Sequence, residues 1–117
     1  MNKGIKYDTG KQQWYATPLD VLSLLADVFS AGEKKYETFN CLQPFDDSNR
    51  RFWDATMRHL NACQMNPLAV DEETGCYHAA QAAWNSLMRL YHAINENSED
   101  YEKIIYDSTK SIDNANH

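Results

Sequence analysis

The sequence predicts an all-α fold, a small helical bundle of three main helices and a short C-terminal helix, and three observations lead to this prediction. Apolar residues recur at helical spacing in three long segments of the 117-residue chain. Thr17-Pro18 is typical of a helix start, and Asn66-Pro67 is typical of a helix end. No stretch of useful length alternates apolar and polar residues as a strand would. A chain of this length amounts to one domain, so we expect residues 1–117 to form a single helical domain.

The first two predicted helices follow an N-terminal arm, residues 1–16. The first helix runs from about residue 18 to residue 36, because its apolar side chains share one broad face. After a loop, Ser48 or Asp47 can cap a second helix that runs to about residue 64. Both helices therefore present an apolar face to a common core.

The third predicted helix has the clearest pattern. It begins at about Thr74 or Cys76 and ends at about Asn95. Its continuous apolar stripe consists of Tyr77, Ala80, Trp84, Leu87, Met88, Tyr91 and Ile94. A short final helix is expected over residues 99–107, before a frayed tail of residues 108–117. The stripe is wide for so short a chain, which favours burial in a homo-oligomer as well as in the bundle.

Composition and charge narrow the class of protein. Three cysteines without a C-x-x-C pair argue against a disulfide framework or a cysteine zinc site. The net charge of -6 disfavours binding to nucleic-acid polymers, although a local basic pocket or a bridging metal can still hold a nucleotide. The first residues lack an apolar signal region, and no apolar stretch is long enough to cross a bilayer. We therefore expect a cytoplasmic protein that does not bind membranes.

Arg58 and His59, on the second predicted helix, are candidates for binding or chemistry. The planar guanidinium of Arg58 suits a phosphate group, and His59 can carry a proton or bind a ligand. Two alternatives stand beside this interpretation. Asp54 and Arg58 are four residues apart and can form a surface ion pair. His59 also falls on the apolar face, where a histidine with one hydrogen bond is common.

The acidic segment before the third helix offers a second set of candidates. Asp71 and Glu73, with His78 nearby, can hold a hard divalent cation. As an alternative, these acids only cap a helix whose dipole favours negative charge at its N-terminus. Gln81 and Asn85 lie on the same helix face as His78, and this polar row is either a solvated flank or the lining of a pocket.

Two lysine-containing segments complete the set. Lys35 and Tyr36 close the first predicted helix, where a lysine also suits the negative end of the helix dipole. Residues 8–11, Asp-Thr-Gly-Lys, are too short for a P-loop and follow no strand.

Taken in order, these blocks resemble a known family. They are Lys6-Tyr7-Asp8-x-Gly10-Lys11, Pro18, Ala31-Gly32-x-x-Lys35-Tyr36, Asn40, Ala55-x-x-Arg58-His59-Leu60, Asp71-x-Glu73-x-Gly75-x-x-His78-x-Ala80 and Asn85. The sequence resembles the phage and bacterial family of dATP/dGTP diphosphohydrolase N-terminal domains over about residues 5–95. The Arg-His-Leu block and the Asp-x-Glu-x-Gly-x-x-His block are its most specific parts.

The resemblance implies hydrolysis of a purine deoxynucleoside triphosphate to the monophosphate and pyrophosphate. It also implies kinship with the all-α NTP pyrophosphatases, which are helical, oligomeric and dependent on Mg²⁺ or Mn²⁺. On this basis Glu73, His59 and His78 are the expected catalytic residues, and Asp71 and Glu73 the expected metal ligands. The expected substrate-binding residues are Lys6, Asp8, Lys11, Lys35, Tyr36, Arg58 and Asn85.

The sequence departs from those pyrophosphatases in its acidic residues. They bind metal through E-x-x-E and E-x-x-D motifs, whereas here the E-x-x-E spacings are Glu96–Glu99 and Glu99–Glu102, in a polar segment. Gln81 also stands where the resembled family has a second histidine. A non-catalytic protein that binds and sequesters nucleotides, such as the signalling nucleotides of bacterial immunity, is therefore an alternative. A helical interaction module without a nucleotide site is a third.

Overall fold

The computed structural model describes residues 3–33 and 39–96. In these ranges the chain forms three α-helices, and no strand is present apart from an isolated antiparallel bridge between Val70 and Tyr77. The helices are Leu19–Glu33 (α1), Ser48–Ala62 (α2) and His78–Glu96 (α3), with a short 3₁₀ helix at Asn40–Leu42. The predicted helical fold class is confirmed for this part of the chain. The predicted fourth helix, residues 99–107, lies outside the described residues.

The chain divides into two units, and each is described by itself. Residues 18–96 form the helical unit with α1, α2 and α3, and the other unit combines residues 1–17 with residues 97–117. In the described part of that other unit, the N–H of Lys11 donates to the carbonyl of Asp8 at 3.0 Å and closes a turn. Gly10 holds a φ of 85° in this turn, a backbone conformation that favours glycine.

The core of the helical unit lies mainly between α2 and α3, the most extensive helix pair, and α1 packs on α3. Its buried apolar side chains are Val28, Phe52, Cys63, Ala80, Ala82 and Met88. Ala80 and Ala82 are small, so α3 can approach its neighbours closely, as the bundle prediction requires. Trp84 meets Phe29 and Phe52 edge-on, at 5.4 and 6.3 Å between ring centroids. These ring contacts join all three helices.

The apolar face of α1 is covered only in part. Of the residues that predicted this face, Val28 is buried, whereas Leu19, Val21 and Leu22 are each at least 45% exposed. No helix in the described ranges is long and apolar enough to cross a bilayer.

The start of α2 corrects one prediction. Asp47 precedes α2 at a φ of 60°, and neither its side chain nor that of Ser48 caps the helix. Instead, the Asp47 carboxylate accepts a hydrogen bond from Arg50 Nε at 2.6 Å. The hydroxyl of Ser48 donates to Glu96 Oε1 at 2.8 Å, which ties the start of α2 to the end of α3. Both polar groups therefore have partners other than the helix N-terminus.

The surface ion pair between Asp54 and Arg58, one of the alternatives for Arg58, is not formed among the described residues. Asp54 Oδ2 accepts instead from Arg50 Nη1 at 3.2 Å, one helical turn in the opposite direction. Arg50 is preferred because its guanidinium bridges Asp47 and Asp54 together. Arg58 therefore does not pair with Asp54, and its side chain is exposed on α2.

Candidate functional site

A cleft of about 1020 Å³ opens in the helical unit. Its lining comes from α1, the 3₁₀ segment, α2, the turn before α3, and α3 itself. The volume is at the upper end of the range for small-molecule sites, which is roughly 300–1,000 Å³. The cleft therefore has room for a ligand as large as a nucleotide.

Aromatic side chains form one wall of this cleft. Phe29, Phe52 and Trp84 line it, and Trp84 contacts each of the two phenylalanines edge-on. The indole Nε1 of Trp84 is buried and has no hydrogen-bond partner within the described residues. A buried indole N–H normally has a partner, so this donor is unsatisfied in the described structure.

Two histidines meet at the polar part of the site. His59 lies in the last turn of α2, and His78 is the first residue of α3. Their Nδ1 atoms are 2.9 Å apart, and both side chains are half-buried. Asp71 joins them, since one potential ligand atom from each of the three residues lies within 4.8 Å of the other two. Two imidazoles and a carboxylate from three separate segments thus converge.

The turn before α3 fixes the position of Asp71. Its Oδ1 accepts the N–H of Glu73 at 2.9 Å, and its carbonyl accepts the N–H of Gly75 at 2.7 Å. Gly75 takes a φ of 75°, which a residue with a Cβ adopts only under strain. These bonds occupy residues 71–75 in a turn, so α3 begins at His78 and not at Thr74 or Cys76 as predicted.

The polar row on α3 supports the same carboxylate. Gln81 Nε2 donates to Asp71 Oδ2 at 3.2 Å, and Asn85 Nδ2 donates to the carbonyl of Gln81 at 2.8 Å. Gln81 and Asn85 are 6% and 8% exposed, and both line the cleft. Of the two alternatives for this row, the pocket lining is the one that the structure shows.

The surroundings shift two pKa values in this cluster. Burial lowers the pKa of His59, and the neighbouring His78 lowers it further, against the opposing effect of Asp71. For Asp71, burial raises the pKa, but the N–H of Glu73, the amide of Gln81 and the two imidazoles together bring the pKa below its usual value. Near neutral pH the cluster therefore offers a carboxylate beside a neutral imidazole.

The structure brings most of the predicted catalytic and metal residues together. His59, Asp71, Glu73 and Asn85 line the cleft, and His78 contacts His59. Glu73 is exposed, and its carboxylate is outside the group of converging ligand atoms found in the described chain. Asp71 therefore lies with two histidines, and Asp71 and Glu73 as metal ligands stay a prediction.

The predicted substrate-binding residues are more scattered. Arg58 is exposed and does not belong to the cleft lining. Lys6, Asp8 and Lys11 are exposed residues of the other unit. Lys35 and Tyr36 lie outside the described residues.

Arg51, which is not among the predicted site residues, lines the cleft next to the aromatic wall. Its guanidinium carbon lies 5.1 Å from the centroid of the Phe45 ring. Residues 51, 55 and 59 are spaced at four-residue intervals, so Arg51 shares a helix face with His59. That spacing was the available signal.

A known family matches most of the chain. A family model described as "dATP/dGTP diphosphohydrolase, N-terminal" matches residues 1–102. No curated protein and no solved structure matches the chain.

Proposed function

This chain belongs to the dATP/dGTP diphosphohydrolase N-terminal family, and we propose that it hydrolyses a purine deoxynucleoside triphosphate to the monophosphate and pyrophosphate. One observation carries the proposal beyond the family. An aromatic wall and a polar histidine–carboxylate cluster open into a single cleft, as a ligand with a flat base and a charged phosphate tail requires.

The aromatic wall is proposed to hold the base. Phe29 and Trp84 offer ring surface, and Trp84 Nε1 offers a buried donor. Purines carry ring-nitrogen acceptors that such a donor can bind. Arg51, at the same cleft, supplies a fixed positive charge for the triphosphate.

The polar cluster is proposed to hold the reacting phosphate. Water attacks the α-phosphorus, the bond from the α-phosphorus to the bridging oxygen breaks, and pyrophosphate leaves with that oxygen. Glu73 is proposed to accept the proton of the water, because its carboxylate lines the cleft without being part of the histidine cluster. His59, Asp71 and His78 are proposed to act at the phosphate end.

A specific observation favours a second candidate, a non-catalytic nucleotide-binding protein. In the part of the chain that the structure describes, a single carboxylate converges with the two histidines, and no E-x-x-E pair is present. Such a protein would use the same cleft to sequester nucleotides, and the cleft geometry serves binding and cleavage alike.

We also propose that the chain forms a homo-oligomer in the cytoplasm, where free nucleotides are found. The support is the exposed apolar surface of the helical unit. Leu19, Val21 and Leu22 on α1, together with Leu87 and Leu90 on α3, are each at least 44% exposed. A second copy of the chain would cover such surface.

The test is product analysis across the nucleoside triphosphates. Purified protein is incubated with each dNTP and NTP and with Mg²⁺, Mn²⁺, Co²⁺ or Zn²⁺, and products are resolved by ion-exchange chromatography and ³¹P NMR. We expect deoxynucleoside monophosphate and pyrophosphate from dGTP or dATP. Binding by calorimetry without any product would support the second candidate, whereas neither binding nor product would overturn both.

Two matched pairs of variants connect the activity to the cleft. Arg51→Ala should weaken nucleotide binding, whereas Arg50→Ala should not, because Arg50 pairs with Asp47 and Asp54 outside the cleft. Glu73→Gln should slow turnover, whereas the neighbouring Glu72→Gln should not, because Glu72 does not line the cleft. Equal effects within either pair would remove that residue from the proposed site.

A further inference from the structure

We propose that His59, Asp71 and His78 form an open, three-ligand site for a single divalent transition-metal ion such as Zn²⁺, Co²⁺ or Fe²⁺, in preference to Mg²⁺. The site differs from the Mg²⁺ or Mn²⁺ site expected at Asp71 and Glu73. The three residues come from α2, from the turn before α3, and from the first position of α3. Their potential ligand atoms lie within 4.8 Å of one another.

The distance between the two imidazole nitrogens fits a shared ion. Nitrogen ligands at ~2.1 Å from a metal are ~3.0 Å apart at a 90° angle and ~3.4 Å apart at a tetrahedral angle. The observed separation of 2.9 Å is close to the first value. The two nitrogens are therefore already at a separation that two ligands of one ion adopt.

The types of ligand atom favour a transition metal. Mg²⁺ prefers oxygen ligands and keeps much of its water, whereas imidazole nitrogen suits Zn²⁺ and Fe²⁺. Two nitrogens and one carboxylate oxygen converge here, and Glu73 is not part of that group within the described residues. The group also contains no cysteine. The donor set consequently does not fit a site that relies on oxygen alone.

Hydrogen bonds around Asp71 support the site independently. Both carboxylate oxygens are oriented, one by the N–H of Glu73 and the other by Gln81 Nε2. Gln81 is buried, and its backbone carbonyl accepts a hydrogen bond from the side-chain amide of Asn85. Outer partners of this kind fix metal-binding carboxylates, and their loss typically weakens metal affinity by about 10–100-fold.

The number of ligands points to a site that binds a further molecule. Structural zinc sites use four protein ligands, whereas three leave room for water or a ligand oxygen. His59 and Asp71 line the cleft, so the remaining positions are accessible from it. The metal site does not depend on the proposed hydrolysis, because metal binding is measured without nucleotide.

The test is metal titration of the protein after treatment with a chelator. Calorimetry and equilibrium dialysis with elemental analysis are carried out with Zn²⁺, Co²⁺, Mn²⁺ and Mg²⁺ separately. We expect about one Zn²⁺ or Co²⁺ per chain and binding of Mg²⁺ at least about 100-fold weaker. The visible absorption of bound Co²⁺ should report nitrogen and oxygen ligands without a thiolate band.

Variants identify the ligands. His59→Gln, Asp71→Asn and His78→Gln should each weaken Zn²⁺ binding by more than about 100-fold, and Gln81→Leu by about 10–100-fold. Glu72→Gln and Glu73→Gln should bind as the parent chain does. Circular dichroism of each variant without metal separates loss of a ligand from loss of the fold.

Three results would overturn the proposal. They are the absence of stoichiometric transition-metal binding, a thiolate band in the Co²⁺ spectrum, and unchanged affinity in the folded His59, Asp71 and His78 variants. In the first case the two imidazoles are only a hydrogen-bonded pair. Because no nucleotide is present, each of these results leaves the test of hydrolysis untouched.

Discussion

Histidines occupy two contrasting places in the α2–α3 pair. His92, near the end of α3, is 3% exposed, and its Nε2 lies 2.7 Å from the carbonyl of Cys41. Phe45 and Phe52 pack against its ring. His59 and His78, at the opposite end of the pair, are half-buried and face each other and Asp71.

The contrast shows that the surroundings of a histidine determine which role it can have. A carbonyl oxygen accepts a hydrogen bond from His92, and aromatic rings enclose it, so that ring is held as part of the core. A second imidazole and a carboxylate bring further lone pairs to His59 instead. An arrangement of that kind can hold a cation or move a proton, which the enclosed His92 cannot do.

The largest expected effect tests the histidine–carboxylate end of the helix pair, and it is an effect on the rate of turnover. Asp71→Asn should lower the rate of pyrophosphate release by about 100-fold or more, because a preorganised charged group at a reacting centre contributes on that scale. Steady-state kinetics with dGTP measures the loss. Glu72→Gln, the adjacent acid outside the cleft, is the matched control. A parent-like rate in the folded Asp71→Asn variant would place the reaction elsewhere.

The next effect is on stability, at the other end of the pair. His92→Leu should lower the free energy of unfolding by about 1–3 kcal/mol, because it removes the bond to the Cys41 carbonyl from a buried position. Urea denaturation measures the change, and Zn²⁺ affinity should stay within about twofold of the parent value. If the folded His92→Leu variant no longer bound metal, the two ends of the α2–α3 pair would not have the separate roles described above.

A pair of glycines tests the turn that holds Asp71. Gly75→Ala should be destabilising by about 1–2 kcal/mol, since a Cβ disfavours its φ of 75°. Gly32→Ala, inside α1, should be stabilising by up to about 1 kcal/mol. Among the described residues, leaving aside the chain neighbours and the backbone of the same helix, no atom lies within 4 Å of a Cβ added at either position, so backbone conformation decides both signs. Thermal unfolding of both variants is the measurement, and equal signs would contradict the explanation.

The smallest effect concerns the link between the helix ends. Ser48→Ala should cost about 1 kcal/mol of unfolding free energy by removing the 2.8 Å bond to Glu96. The link lies near His92 and away from the histidine pair, so metal affinity should not change. A change of more than about tenfold in Zn²⁺ affinity would show that the two ends are coupled.

The helices were predictable because their signal is local. Four-residue spacing placed all three, and it placed Gln81 and Asn85 on the face of His78. Helix ends were harder, because a turn held by Asp71 and Gly75 competes with one more turn of α3. The partner of Asp54 illustrates the same limit. Arg50 and Arg58 are equally spaced from it, and only the position of Asp47 decides between them.

The sequence predicted which residues form the site better than it predicted how those residues are arranged. Its sequence blocks identified His59, Asp71 and His78, but no spacing rule relates a residue of α2 to one of α3. Their contact follows from how α2 and α3 pack, because the two histidines are nineteen positions apart along the chain. Arg51 was overlooked although its spacing places it on the helix face of His59, because the sequence does not show that this face borders a cleft.

The buried indole N–H of Trp84 has a consequence for discrimination between ligands. No partner satisfies it within the described residues. A ligand whose acceptor reaches that point pairs the group, whereas a ligand without an acceptor leaves it unpaired, a difference of about 1–3 kcal/mol. A ring system with an acceptor at that point can thus be selected over one without it by about five- to 150-fold.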